Sequence, residues 1–137
     1  MHEPAIREAT TPAPLAFTHI YPATPAHVSQ ARRSLSQILN GSRAADDAAL
    51  CLSELATNAT LHSHSRNGGH FTVRAQIHAG RLRVEVQDDG GPWTRPAHGH
   101  DGQHGRGLLI VTRLAHDWGR AGDSETGWTV WFEMDCQ

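Results

Sequence analysis

Apolar residues return along this chain at two spacings, every third or fourth position in some stretches and every second in others, and the switches mark out its elements. Helical spacing runs through Val28, Ala31, Leu35 and Ile38/Leu39. Thr24-Pro25 supplies an N-cap and a proline at the first helical position, and Asn40-Gly41 closes the helix. A second helix is predicted from about Ala44 to His62, with Ala48, Leu52, Leu55, Ala56 and Ala59 on its apolar face. Asp46 and Asp47 lie in its first turn, where the helix dipole favours negative charge, and Asn67-Gly68-Gly69 breaks the pattern. Period two then takes over. Phe71, Val73, Ala75 and Ile77 face one way, as do Leu82, Val84 and Val86, and a turn at Ala79-Gly80 makes the two runs an antiparallel hairpin with one covered face. Trp128, Val130, Phe132 and Met134 alternate in a final strand, and Leu15 to Tyr21 reads as a short first one.

Between these lie weaker signals. Asp88 to His104 is rich in Gly, Pro and His and reads as a long loop, of the kind that is functional or mobile in compact domains. Leu108 to Ala115 is apolar on nearly every side, which predicts a helix buried between other elements. The chain becomes extended around Trp118 and turns at Gly122–Gly127. The sum is an α+β fold, a two-layer sandwich with helices on one face of a mixed, mostly antiparallel sheet. Residues 1–14, with three prolines, are expected to be a flexible tail, and residues 15–137 a single domain.

Composition narrows the function. A formal charge of −2 leaves no electrostatic footprint for nucleic acid or for an anionic membrane. All 12 basic residues are arginine, so P-loop and Schiff-base lysine chemistry are excluded. Cys51 and Cys136 show no spacing that argues for a bridge. No run of ~18 apolar residues and no charged-then-apolar leader is present, so a reducing, cytoplasmic setting is expected.

Three clusters carry chemistry. Glu54, Asn58 and His62 follow one another at i, i+4 and i+8, a polar stripe on the second helix. A carboxamide oxygen suits Mg²⁺ and a carboxylate one turn away can act on a hydroxyl or water, although such a stripe alone is more often a solvated face. Val84 to Val86 delivers Asp88 to a strand end, with Gly90, Gly91 and Pro92 following; a carboxylate there can accept from the exocyclic amine of adenine, but Asp-Gly turns are common. His104-Gly105-Arg106-Gly107-Leu108 opens an apolar helix, whose free amides attract phosphate, or is simply a flexible lead into it.

The succession of these clusters is more specific than any one of them. It resembles the ATP-binding (Bergerat) domain of the GHKL superfamily, which includes gyrase, histidine kinases and MutL. Glu54 and Asn58 match its N box, Asp88 and Gly90 its G1 box, Gly105 and Gly107 its G2 box, and Gly127 with Thr129 its last strand. Ser53-Glu54-Leu55-x-x-Asn58-Ala59-x-x-His62, Asp88-x-Gly90-Gly91 and Gly105-Arg106-Gly107-Leu108 resemble in particular the stand-alone anti-sigma-factor serine kinases of Gram-positive bacteria, over about Leu15 to Phe132. Pro92 replaces the second glycine of the usual G1 pattern, and the lid segment offers Arg95, Arg106, His98, His100 and His104 in place of lysine.

The resemblance implies ATP and Mg²⁺ as cofactors. Asp88 would select adenine, Asn58 would hold the metal, and Gly105 and Gly107 would cradle the phosphates. Glu54 would act as base toward a partner's serine or threonine, and Thr129 would help to hold the adenine end. It also implies a sigma factor and an anti-sigma antagonist as partners, and a homodimer. Two other readings are carried. One is an ATP-responsive binding module with little or no kinase activity. The other is a Zn²⁺ or Ni²⁺ protein using His62, His64, His98 and His100 among its 11 histidines, although no cysteine-supported zinc spacing exists. A histidine protein kinase fragment is disfavoured because no phosphoacceptor helix pair precedes the domain.

Overall fold

The computed structural model describes residues 15–62, 68–90, 102–123 and 125–136, and for residues 15, 62 and 102–107 the backbone alone. In chain order the elements are β1 (Leu15–Pro22), α1 (Pro25–Ile38), α2 (Ala45–His62), β2 (His70–His78), β3 (Arg81–Gln87), α3 (Gly102–Leu114), β4 (Asp117–Asp123) and β5 (Gly127–Asp135). The strands form one sheet in the order β1-β2-β3-β5-β4. All four pairings are antiparallel, so the sheet has no parallel pair among the described residues.

The helices form a second layer on one face of this sheet. α2 is central: it rests on β2, β3 and β5 and packs against α1 on one flank and α3 on the other. α1 lies by β1 and α3 by β4. Sequence chemistry explains the entry angles. Thr24 caps α1 by accepting from the His27 amide at 3.3 Å, with Pro25 in the first turn. Ser42 donates to the Cys136 carbonyl at 2.7 Å and accepts from the Ala44 amide at 3.0 Å, tying the approach to α2 to the end of β5. Ala79 (φ 54) and Gly80 (φ 78) both adopt positive φ, the conformation of a primed hairpin turn.

The core lies between the layers. Tyr21, Phe71 and Phe132 are its largest side chains, packed with Leu35, Leu52, Leu82 and Val84. Ala48, Ala56 and Ala59 on the buried face of α2 are small enough to let that helix lie close to the strands. Among the described residues the opposite sheet face has no helix on it and carries charge instead. Arg83 reaches Glu133 at 2.8 Å and Glu85 at 3.0 Å, Arg81 reaches Asp135 at 3.3 Å, and the Arg83 guanidinium lies 4.2 Å over the Trp131 ring. Gly119 makes room for that indole, since a Cβ there would stand 2.7 Å from it.

Two expectations change. α3 begins at Gly102 rather than near Leu108, and it is not buried all round: Val111 is fully enclosed, whereas Leu109 is 49% exposed. The helix is clasped on one side only, by α2 and by a Trp118 Nε1–H bond to Thr112 Oγ1 at 2.9 Å. The expected tail, residues 1–14, lies outside the described residues, as do residues 91–101 of the expected loop. No helix among the described residues is long and apolar enough to cross a membrane.

Candidate functional site

Asp88 stands one residue beyond β3, and its surroundings are made mostly of backbone. Its amide donates to the Trp128 carbonyl at 2.9 Å, continuing the β3–β5 ladder past the strand. Its Oδ1 accepts from the Gly90 amide at 2.8 Å and from the Trp128 amide at 3.0 Å. Two glycines make this geometry available. Gly90 has φ 92, and Gly127 has φ 113 with no space for a side chain, since a Cβ would lie 2.6 Å from the Asp88 carbonyl oxygen. Asp89 Oδ2 accepts from the His70 amide at 2.8 Å, so the chain leaving the corner is pinned to the start of β2. The result is a half-buried carboxylate held in one orientation as an acceptor, which suits an exocyclic amine.

On α2 the stripe follows helical periodicity. Glu54 and Asn58 are both half-buried at the margin of the apolar face, and His62 continues the spacing, although its side chain lies outside the described residues. Cys51 lies one turn before Glu54 and is fully buried. Burial first, then the charges of Asp47 and Glu54, push its thiol up to about 12. No group of three or more His, Cys, Asp or Glu capable of holding a metal exists among the described residues. The donors present fit Mg²⁺ rather than Zn²⁺, because Mg²⁺ needs few protein oxygens when substrate phosphates supply the others. Of the histidines considered for Zn²⁺ or Ni²⁺, His64, His98 and His100 lie outside the described residues.

The third cluster needs correction. Because α3 starts at Gly102, Gly105 falls in its first turn and Gly107 in its second. In a regular helix the unpartnered amides are those of the N-cap and the first three helical residues, so Gly105, the fourth, and Gly107 both lie past them. Two glycines close together read as a helix breaker, yet each costs a helix only about 1 kcal/mol, which packing can outweigh. Leu108 is half-buried and packs against the core, so it anchors the helix. The Arg106 side chain, Gly91 and Pro92 lie outside the described residues.

Thr129 lies on the other face of the sheet from Trp128. It pairs with Gln87 on β3, and its neighbours Trp128 and Val130 take the helix side. Alternation therefore turns Thr129 to the uncovered face, where Gln87 bonds to Arg74 at 2.9 Å. The residue beside Asp88 on the helix side is Trp128, which the sequence reading passed over as a site residue. The signal was there in the alternation of Trp128, Val130, Phe132 and Met134.

α2, which carries the Glu54–Asn58 stripe, packs against β3, the strand that ends one residue before Asp88, and against α3. A model of the family described as "Histidine kinase-like ATPase domain" matches residues 21–134. A chain of the SiaB–SiaC complex from Pseudomonas aeruginosa shares the fold, with a TM-score of 0.67 at 14% identity over 95% of this chain and 95% of that one. The histidine kinase domain of a blue-light activated histidine kinase from Erythrobacter litoralis superposes with a TM-score of 0.52 at 23% identity, over 84% of this chain and 61% of that one. No curated protein matches this sequence.

Proposed function

This chain belongs to the histidine kinase-like ATPase domain family, and we propose that it is an Mg-ATP-dependent regulatory protein that sequesters a sigma factor and phosphorylates a serine or threonine on an anti-sigma antagonist. The observation that carries the nucleotide site is the Asp88 carboxylate, fixed by the Gly90 and Trp128 amides at the end of β3. An acceptor pre-set in this way favours adenine, whose exocyclic amine donates, over guanine, which presents an oxygen at that edge.

Each remaining group has one role. Asn58 offers a carboxamide oxygen to Mg²⁺, which when bound supplies charge neutralisation along the phosphates. The free amides at the start of α3 face phosphate, Gly105 and Gly107 let the phosphate chain approach the helix closely, and Arg106 between them is the candidate cation. Glu54 takes the proton of the attacking hydroxyl as its oxygen bonds to the γ-phosphorus and the bond from that phosphorus to the β-phosphate oxygen breaks. The related fold in the SiaB–SiaC pair supports a regulatory protein as the partner. A cytoplasmic homodimer completes the proposal.

A second reading is an ATP-responsive binding module with little transfer activity. It is favoured by the absence of lysine and by the inclusion of Gly107 within α3, both of which reduce phosphate clamping. Calorimetric titration with Mg-ATP, beside Asp88→Asn, tests the nucleotide site. Labelled ATP with a candidate antagonist then separates the readings: label on the antagonist that is lost in Glu54→Ala supports the kinase, and bound ATP without label supports the module.

A further inference from the structure

On the helix side of the sheet, Asp88, Trp128 and Gly122 form one row across β3, β5 and β4. The row beneath it is Val86, Val130 and Arg120. Trp128 is thus the direct cross-strand neighbour of Asp88, at the spacing where side chains touch a shared ligand. Its backbone orients the carboxylate, while its half-buried indole stands beside it. Arg120, diagonal to it on β4, lies 4.5 Å from the ring centroid and fixes the ring from one side. Gly122, opposite Trp128, adds no side chain to the row, and φ 97 with a Cβ position 2.2 Å from the Gly127 carbonyl oxygen keeps it glycine.

We propose that Trp128 is the base-stacking wall of the nucleotide site, with Arg120 as the positioning residue that holds its ring. The inference rests on the nucleotide reading above and deepens it by dividing recognition between two neighbours. Asp88 chooses the base through a directional hydrogen bond. Trp128 supplies affinity through a π-face, which every base can use and which does not discriminate. This role falls to Trp128 because strand alternation denies it to Thr129.

The test uses the full chain and three probes: Mg-ATP, Mg-GTP and base-free Mg-tripolyphosphate. Trp128→Leu is expected to weaken Mg-ATP binding by roughly five- to a hundredfold, the range for one base–aromatic stack, and to leave tripolyphosphate unchanged. Trp128→Phe, which keeps a flat ring, should stay within about threefold of the wild type for Mg-ATP, on the same account of stacking. Tryptophan emission should change on saturation with Mg-ATP in the wild type and in Trp131→Phe, but not in Trp128→Phe. Asp88→Asn should narrow the preference for ATP over GTP, whereas Trp128→Leu should lower affinity for both alike. A folded Trp128→Leu, or failing that Trp128→Phe with unaltered emission change, that binds Mg-ATP like the wild type overturns the stacking role and leaves the nucleotide site standing. A wild type that binds no Mg-ATP overturns both.

Discussion

The Asp88 corner and the Glu54–Asn58 stripe serve one proposed site but are built in different ways. The corner is a backbone construction: two amides on one carboxylate oxygen, a positive φ at Gly90, and at Gly127 a contact that leaves no space for a side chain. The stripe is a periodicity construction, in which two side chains emerge on one side of a helix whose folding depends on other residues. The difference teaches where function and stability are separable. At the corner the backbone contacts serve both and only the Asp88 charge can be removed alone; on the stripe the two are separate throughout.

The sharpest attack on this contrast is Gly127→Ala. Backbone strain alone should cost about 1–3 kcal/mol, and the 2.6 Å approach to the Asp88 carbonyl adds to it. Thermal unfolding should fall and Mg-ATP binding should fall with it. An alanine variant that melts and binds like the wild type would show that the corner relaxes freely.

Glu54→Gln probes the other side. Phosphoryl transfer should drop by roughly 10²–10⁴, the usual contribution of a general base, while unfolding stays within about 0.5 kcal/mol of the wild type. Loss of stability together with activity would place Glu54 in the architecture instead.

Asp88 itself can be divided. Asparagine keeps an oxygen for both backbone amides but loses the charge, so Mg-ATP affinity should weaken roughly ten- to a hundredfold with little change in melting. Alanine strands those amides and should cost a further ~1–3 kcal/mol of stability. Equal melting of the two variants would mean that the amides find other partners.

The smallest effect belongs to the uncovered face. Arg83→Met removes a pair to Glu133 whose side chains are 35% and 30% exposed. After discounting for solvent screening, about 1 kcal/mol or less is at stake. Calorimetry should find Mg-ATP binding unchanged, and a loss of binding would mean that the two faces of the sheet are coupled.

Much of this layout was legible in the sequence, for reasons that particular residues make plain. Val28–Leu39, Ala48–Ala59 and the Phe71–Val86 hairpin declared themselves because one buried face imposes a strict period. β4 did not: Asp117-Trp118-Gly119-Arg120-Ala121-Gly122-Asp123 has no alternation, because it is an edge strand whose glycines accommodate the Trp131 ring and the Gly127 backbone. The start of α3 was hidden by glycines that local propensity counts as breakers. Glu54, Asn58 and Asp88 are proposed from their order along the chain, which only the family resemblance makes specific. Thr129 is implied by the family resemblance of the last strand, whereas the alternation of that strand sets Trp128 on the side of Asp88.

Cys51 carries one more consequence, and it concerns oxidation. Peroxides and disulfides react with thiolates, and a thiol pushed up to about 12 stays protonated at neutral pH. Desolvation in the core and the carboxylates of Asp47 and Glu54 therefore disfavour oxidation of this sulfur, one turn before the proposed base. The same shift sets an alkaline limit. The unfolded thiol ionises near 9.0 while the folded one keeps its proton to about 12, so this contribution to stability is intact below that window and declines as pH rises through it.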